Sequence, residues 1–419
     1  MWWKKAKIYE LYIDKFAGTL NGLTEKLDYF TALGVDCLHL LPHYPSPMVD
    51  DGYDVSDYRN VRPELGTLDG FTHFLAEAHR RGIRVIVDLV LNHVSSQHPW
   101  FAEARASRNN PKRDFFLWDE RGERLKDSVN AFPDFKPSNW IRNKATKDHY
   151  YATFYPEQPD LNWDNPEVLH EMLATVDFWI AHGIDGFRLD AAAHLVKRED
   201  TNSKGLPETH AVLKKIRAHL GEAHPEVILL AEVHQEVPLA KTYFGDGDEC
   251  HLVYHFPLTE QFWLALKRND HALVDTMVSD SFAIPANCQW ATFLRNHDEL
   301  SLSTLLAKER AELNDFLDPE HRYPFKKGAA SSVRVSTVFG GDQERIAEAF
   351  RLLYGTKGAP VMYYGDEIGM KTLPVAPQVS DTRRYVRGKF DWKEAERQMN
   401  DPYSLWNQVA EIIKSGRGG

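Results

Sequence analysis

The chain has little cysteine and no long apolar run. Its 419 residues include only three cysteines, Cys37, Cys250 and Cys288, and their spacing suits neither a disulfide framework nor a metal site. Free thiols are typical of a reducing compartment, so we predict a cytoplasmic protein. No stretch reaches the ~18 consecutive apolar residues of a membrane span, and no apolar segment of a secretory signal follows the first residues.

Basic residues are fewer than acidic ones. The chain has 50 lysines and arginines against 61 acidic residues, which gives a net charge of -11. A protein that binds nucleic acid needs a basic surface to neutralise phosphates, so we expect neither a nucleic acid nor a membrane as partner. The length permits one large barrel or two to three smaller domains.

Short apolar segments alternate with amphipathic ones along most of the chain. We predict strands at residues 7–11, 37–41, 85–90, 186–189, 227–231, 252–256, 290–294 and 361–364. We predict helices at residues 23–33, 71–81, 168–182, 210–219, 258–267, 346–356 and 404–414. Eight strands that alternate with helices favour an α/β fold, a (β/α)8 TIM barrel, over two doubly wound domains.

Two stretches interrupt this alternation. Residues 94–165 are rich in Asn, Pro, Asp and aromatic side chains and follow the third strand, so we expect a subdomain that walls a cleft at the C-terminal face. The predicted domains are therefore a barrel of residues 1–93 and 166–419 and an insertion of residues 94–165. A second irregular stretch, residues 308–342, precedes the predicted helix at residues 346–356. We expect no C-terminal β-sandwich domain within the 419 residues.

Four apolar segments end in a carboxylate, namely Asp88, Asp190, Glu232 and Asp298. A buried strand cannot hold an ionised carboxylate cheaply, so the acids belong where the strands emerge, and in a barrel these ends converge on one face. An isolated acid of this kind is more often structural, as is a histidine at a strand end. Four acids together predict an enzyme.

Two of these acids suit glycoside hydrolysis with retention, which needs one ionised and one protonated carboxyl group. Arg188 lies two residues before Asp190 on the same strand face, so we expect it to keep that carboxylate ionised. Glu232 follows an apolar run with no arginine beside it, an environment that we expect to raise its pKa.

Residues 88–93, 186–191, 232–234 and 296–298 resemble the four main sequence regions of the α-amylase family of glycoside hydrolases (family 13), and residues 158–162 and 358–367 also fit that family. The resemblance implies that Asp190 is the nucleophile, Glu232 the acid/base and Asp298 a stabiliser of the transition state. It further implies that the substrate is bound by His93, Arg188, His194 and His297.

The segment from Asp50 to Asp54 resembles the Asp-x-Gly-Tyr-Asp motif of exo-acting family members, and residues 386–392 resemble the segment that carries their paired arginine. The resemblance implies that Asp50 binds the terminal sugar and pairs with Arg387, and that Tyr53 is an aromatic platform. We therefore expect action on disaccharides or chain ends rather than on internal bonds.

Within the family the likeness is closest to trehalose synthases and secondarily to amylosucrases. It implies a transglucosylase that acts on maltose, trehalose or maltooligosaccharides through a covalent glucosyl-Asp190 intermediate. The alternatives are an α-glucosidase or α-amylase type of hydrolase, an amylosucrase-like enzyme that uses sucrose, and a non-catalytic binding barrel. His194 and His234 lie in segments that depart from the synthase pattern, so the acceptor stays open between water and sugar.

We expect no required cofactor. Residues 16–22 are too short for the Asp-rich calcium loop that many relatives carry after the first strand. The resemblance nevertheless leaves open that Asn92 and the insertion bind calcium.

Overall fold

A computed structural model of the protein describes residues 1–376 and 379–416. Eight parallel strands close into a barrel in the order β1-β8-β7-β6-β5-β4-β3-β2, which confirms the predicted TIM-barrel class. The strands are β1 Ile8–Leu11, β2 Cys37–Leu40, β3 Arg84–Val90, β4 Gly186–Asp190, β5 Ile228–Ala231, β6 Leu252–Tyr254, β7 Gln289–Phe293 and β8 Ala359–Tyr363. The predicted end of the barrel at residue 419 lies outside the described residues.

The barrel helices begin earlier than apolar periodicity predicts, because side-chain caps set their first turns. Thr67, Asn165 and Asp342 each accept a hydrogen bond from the backbone of the helix that follows. The predicted helix at 23–33 is interrupted at Lys26, whose ψ of 6° is not helical. The helices are Leu20–Glu25, Leu27–Leu33, Leu68–Arg80, Pro166–Ala181, Pro207–Ala223, Phe256–Arg268, Ala272–Ser281, Gln343–Gly355, Trp392–Met399 and Leu405–Ser415, with shorter ones at Ile13–Phe16, Val237–Lys241 and Val335–Val338.

The two irregular stretches contain small elements of their own. Between residues 94 and 165 lie a helix, Pro99–Ala106, and an antiparallel sheet of Trp118–Asp119, Trp140–Asn143 and Asp148–Tyr151. The second stretch holds the helix Ala307–Leu317, which the sequence pattern misses because only Leu313 and Leu317 of it are buried. Beside it lies a sheet of Leu300–Ser301, Pro324–Phe325 and Ala330–Ser331. The proposed domain boundaries stay a prediction.

The interior of the barrel has an apolar lower part and a charged upper part. The lower part includes Ile8, Ile86 and Ile228, and Trp3 packs against the same cluster. Two residues further along the strands come Glu10 and Asp88, both fully buried. The C-terminal end of the barrel is therefore charged before any loop is added.

None of the helices in the described ranges is long and apolar enough to cross a bilayer.

Gly186 at the start of β4 has no room for a side chain. A Cβ there would lie 2.5 Å from Ile228 Cγ1 and 2.8 Å from the Ile228 carbonyl oxygen. We predict that Gly186→Ala forces β4 and β5 apart and lowers the free energy of unfolding by about 1–3 kcal/mol. Denaturant unfolding measures this. Gly221→Ala is the control, because nothing lies within 4 Å of its Cβ, and an unchanged stability for Gly186→Ala would contradict the packing argument.

Candidate active site

A cavity of about 290 Å³ opens at the C-terminal ends of the barrel strands. One wall comes from the barrel and the other from residues 129–133 and 154, which belong to the predicted insertion. Seven of the residues predicted for the site line it, namely Asp50, Tyr53, His93, Asp190, His194, Glu232 and Asp298. The other three substrate-binding residues predicted from sequence, Arg188, His297 and Arg387, are buried and contact residues that line the cavity.

Arg188 joins the two central acids. Its Nη1 lies 2.8 Å from Asp190 Oδ1 and also binds Asp88, and its Nη2 lies 2.9 Å from Glu232 Oε2. The Nη2–Glu232 contact is an ion pair without hydrogen-bond geometry, since Nη2 has no hydrogen-bond partner among the described residues. The expectation that no arginine lies beside Glu232 is therefore wrong. The arginine comes from the neighbouring strand, which local sequence cannot reveal.

The two acids share one guanidinium, but their pKa values shift in opposite directions. Burial and the charge of Glu232 raise the pKa of Asp190 well above its usual value, against the opposing effect of Arg188. Burial also opposes ionisation of Glu232, but Arg188 and His234 outweigh it and lower the pKa of Glu232 to about 2. The directions of both shifts are the reverse of what the sequence predicts, because Arg188 and His234 both favour the Glu232 carboxylate.

Asp298 lies in a strongly cationic environment. His297 Nε2 is 3.1 Å from Asp298, and His297 Nδ1 is 3.0 Å from Glu10. Burial opposes the charge on His297, but the two acids raise its pKa to about 9. Asp298 is buried too, yet His297, Arg383 and Arg387 hold its pKa well below the usual range. Asp298 therefore stays ionised near neutral pH.

The acid predicted to bind the terminal sugar has a different partner from the one expected. Asp50 Oδ1 lies 2.7 Å from Arg383 Nη2, whereas Arg387 lies 2.7 Å from Asp51 and 2.8 Å from Asp298. The predicted Asp50–Arg387 pair is therefore wrong. Motif spacing selects Arg387, but only the packing of the loop decides which arginine reaches the cavity. Burial raises the pKa of Asp50 to about 6 although Arg383 opposes it.

Tyr53 and His93 are held in place by nearby groups. The ring of Tyr53 stacks on His297 at 5.3 Å with an interplanar angle of 12°, and its hydroxyl is hydrogen-bonded to His297 Nε2 at 2.7 Å. His93 Nε2 lies 3.2 Å from the Tyr53 carbonyl oxygen, to which it donates. Burial lowers the pKa of His93 to about 4 and that of His194 well below its usual value. Both histidines are neutral donors and acceptors.

The side-chain oxygen of Asn92, the predicted calcium ligand, accepts a hydrogen bond from a lysine. Lys197 Nζ lies 2.6 Å from Asn92 Oδ1 and 2.7 Å from Asp160 Oδ2, and it also donates to the His194 carbonyl oxygen. An ammonium group thus fills the set of oxygens that a cation would use, and these residues do not fit a metal while Lys197 is there. Among the described residues, no group of three or more His, Cys, Asp or Glu side chains could hold a metal ion.

The cavity contains functional groups that were not among the predicted site residues. Besides Arg383, these are Lys204, Glu299 and Lys326, together with His234, which lies in a motif but had no assigned role. Lys204 and Lys326 lie in irregular segments with no apolar period, so the sequence carries no signal that either lysine reaches the site. Glu299 directly follows Asp298 of the last motif, and that nearness is the only signal available for it.

Comparisons with known proteins identify relatives of this chain. The family described as "Alpha amylase, catalytic domain" matches residues 7–318. The trehalose synthase/amylase TreS of Mycolicibacterium smegmatis is 43% identical over 88% of this chain and 64% of its own length. The trehalose synthase of Thermus thermophilus is 42% identical over 94% of this chain and 41% of its own length. The chain therefore spans about two fifths to two thirds of the length of these relatives.

Among solved structures, the α-glucosyl transfer enzyme XgtA is similar to this chain. The two superpose with a TM-score of 0.79 at 27% sequence identity, over 98% of this chain and 83% of XgtA. The likeness therefore extends over the barrel and both irregular stretches.

Lys197 provides a test of the calcium alternative. Lys197→Met leaves the buried Asp160 carboxylate without its cation, so we predict a loss of about 3–5 kcal/mol in the free energy of unfolding. Lys214→Met, which removes an exposed lysine paired with Asp248, is the control and should change stability little.

We expect calcium and EDTA to leave the melting temperature of the unsubstituted protein unchanged. A rise with calcium would show that a metal binds despite Lys197.

Proposed function

Because the chain belongs to the α-amylase family of glycoside hydrolases, we propose that it is a retaining transglucosylase, similar to trehalose synthases, that acts on maltose and other small α-1,4-glucosides. The observation that carries this proposal is the pair of carboxyl groups, Asp190 and Glu232, held on one guanidinium at the floor of the cavity. The names of the two curated relatives support the choice of maltose–trehalose chemistry over the other reactions of the family.

The reaction needs Asp190 ionised and Glu232 protonated, whereas the raised pKa of Asp190 and the lowered pKa of Glu232 favour the opposite order. A bound glycoside offers its bridging oxygen to Glu232 as a hydrogen-bond acceptor. This acceptor favours the protonated form of Glu232, while Arg188 favours the ionised form of Asp190. Asp190 attacks the anomeric carbon while Glu232 protonates the leaving oxygen, which forms a glucosyl-Asp190 ester.

The second step reverses the first. An acceptor hydroxyl attacks the ester and gives its proton to Glu232, which restores both carboxyl groups. The ionised Asp298 lies beside the glucosyl subsite and stabilises the positive charge that develops on the ring in both transition states.

The Asp50–Arg383 pair supports action on a terminal sugar. Both groups are buried and line the cavity, so a chain that continued past the first glucosyl unit would have to break the pair and leave Asp50 without a cation in contact. Phe132 and Phe154 add aromatic surface to the same cavity, against which the C–H faces of a sugar can pack. The small volume fits a disaccharide better than an extended chain.

We further propose that no metal is needed, because Lys197 supplies the cation at Asn92 and Asp160. The three cysteines are free and buried, which supports a cytoplasmic location. The partners are then small α-glucosides, with maltose first and sucrose second.

Incubation with maltose, with products resolved by proton NMR, tests the proposal. We expect trehalose as the main product, some free glucose from transfer to water, and no cleavage of a blocked, coloured maltooligosaccharide. Glucose as the sole product would instead establish a hydrolase. No turnover of maltose, followed by turnover of sucrose, would move the protein to the amylosucrase-like alternative.

The roles of the two carboxyl groups can be separated by substitution. We predict that Glu232→Gln lowers the turnover of maltose about 10²–10⁴-fold, because the leaving oxygen is no longer protonated. The same variant should still form the glucosyl ester from α-glucosyl fluoride, since fluoride leaves without a proton. Asp190→Asn should lose both activities. Equal losses on the two substrates in Glu232→Gln would refute its role as acid.

A further inference from the structure

Two lysines converge on the part of the cavity next to Glu232. His234 Nε2 lies 3.4 Å from Glu232 Oε1, and Lys204 Nζ donates to the His234 carbonyl oxygen at 2.5 Å. Lys326, from the turn between Pro324–Phe325 and Ala330–Ser331, lines the same cavity. Because Glu232 handles the leaving group and the acceptor, this basic wall faces the acceptor rather than the glucosyl unit.

The positive charge of this wall is only partly balanced. Lys326 Nζ lies 2.6 Å from Glu299, whereas no carboxylate among the described residues lies within 4.0 Å of Lys204 Nζ. Burial and the nearby charge of Lys326 lower the pKa of Lys204 to about 8. Lys204 thus carries its charge in a half-buried position, beside a second cation, with Glu232 as a nearby anion that it does not contact.

The backbone that presents Lys326 is strained. Lys326 and Lys327 have φ values of +50° and +56° in the turn, a conformation for which hairpins prefer Asn and Gly. Strained backbone beside a cavity is typical of positions kept for function. The side chain of Lys326 reaches the cavity, whereas Lys327 is exposed.

We propose that the acceptor subsite binds a phosphorylated sugar, whose phosphate lies between the ammonium groups of Lys204 and Lys326. This inference rests on the proposed transglucosylase function. A phosphate monoester carries nearly two negative charges at neutral pH, which two lysines can match as point charges. A carboxylate carries one charge and is met best by the planar fork of an arginine.

The transfer step balances without any further reactant. A hydroxyl of the sugar phosphate attacks the anomeric carbon of glucosyl-Asp190, and the bond between that carbon and the Asp190 oxygen breaks. The hydroxyl proton goes to Glu232, and the phosphate itself is unchanged. The product is a phosphorylated disaccharide.

The test uses 4-nitrophenyl α-glucoside as donor and compares glucose, glucose 6-phosphate and glucuronate as acceptors. Nitrophenol release reports ester formation, and mass spectrometry reports each transfer product. We expect the KM for glucose 6-phosphate to lie about tenfold or more below that for glucose and for glucuronate. Lys204→Gln and Lys326→Gln should each raise the KM for glucose 6-phosphate about tenfold.

Two further variants keep the test decisive. Lys204→Arg retains the charge and should retain most of the preference, whereas Lys327→Gln changes a lysine of the same turn outside the cavity and should change no KM. Nitrophenol release with no preference for glucose 6-phosphate would overturn this inference alone, as would an equal preference for glucuronate. Absence of nitrophenol release would overturn the proposed function first.

Discussion

One buried guanidinium holds the upper layer of the barrel together. Arg188 is fully buried and contacts the carboxyl groups of Asp88, Asp190 and Glu232, which come from three adjacent strands. An unpaired charge in this position would cost several kcal/mol, so arginine and acids are tolerated only together. The register of β3 and β4, which sets Asp88 opposite Arg188, brings the partners into contact before any loop is formed.

The charged layer continues across the barrel to the other side of the site. His39 bridges Asp88 and Glu10, with contacts of 3.0 and 3.1 Å, and Glu10 in turn binds His297 beside Asp298. Cations and anions alternate along this path, which explains why so many ionised groups can be buried together. The same alternation fixes the orientation of the proposed catalytic acids in advance, as electrostatic preorganisation of an active site requires.

The parts of the site that could be predicted from sequence are those that regular elements carry. Asp190 and Arg188 share one face of β4, and a period of two residues is enough to predict their contact. The contact between Arg188 and Glu232 crosses from one strand to the next. The pairing of Asp50 with Arg383, instead of the predicted Arg387, depends on how a loop packs. Neither leaves a periodic signal. Lys197 is a third such case, because its partners lie on β3's end and in the insertion.

This division has a consequence for specificity. The proposed catalytic acids Asp190 and Glu232 lie at the ends of β4 and β5, where the register of the barrel fixes them, although Asp50 and Arg383 of the proposed glucosyl subsite come from loops. The acceptor side is built from irregular segments that bring Lys204, Glu299 and Lys326 to the cavity. Such segments can change without disturbing the barrel, so relatives with the same donor chemistry can differ in the acceptor they select. The choice between water, a neutral sugar and a charged one therefore depends on the loops, and the lysines of this chain favour the charged one.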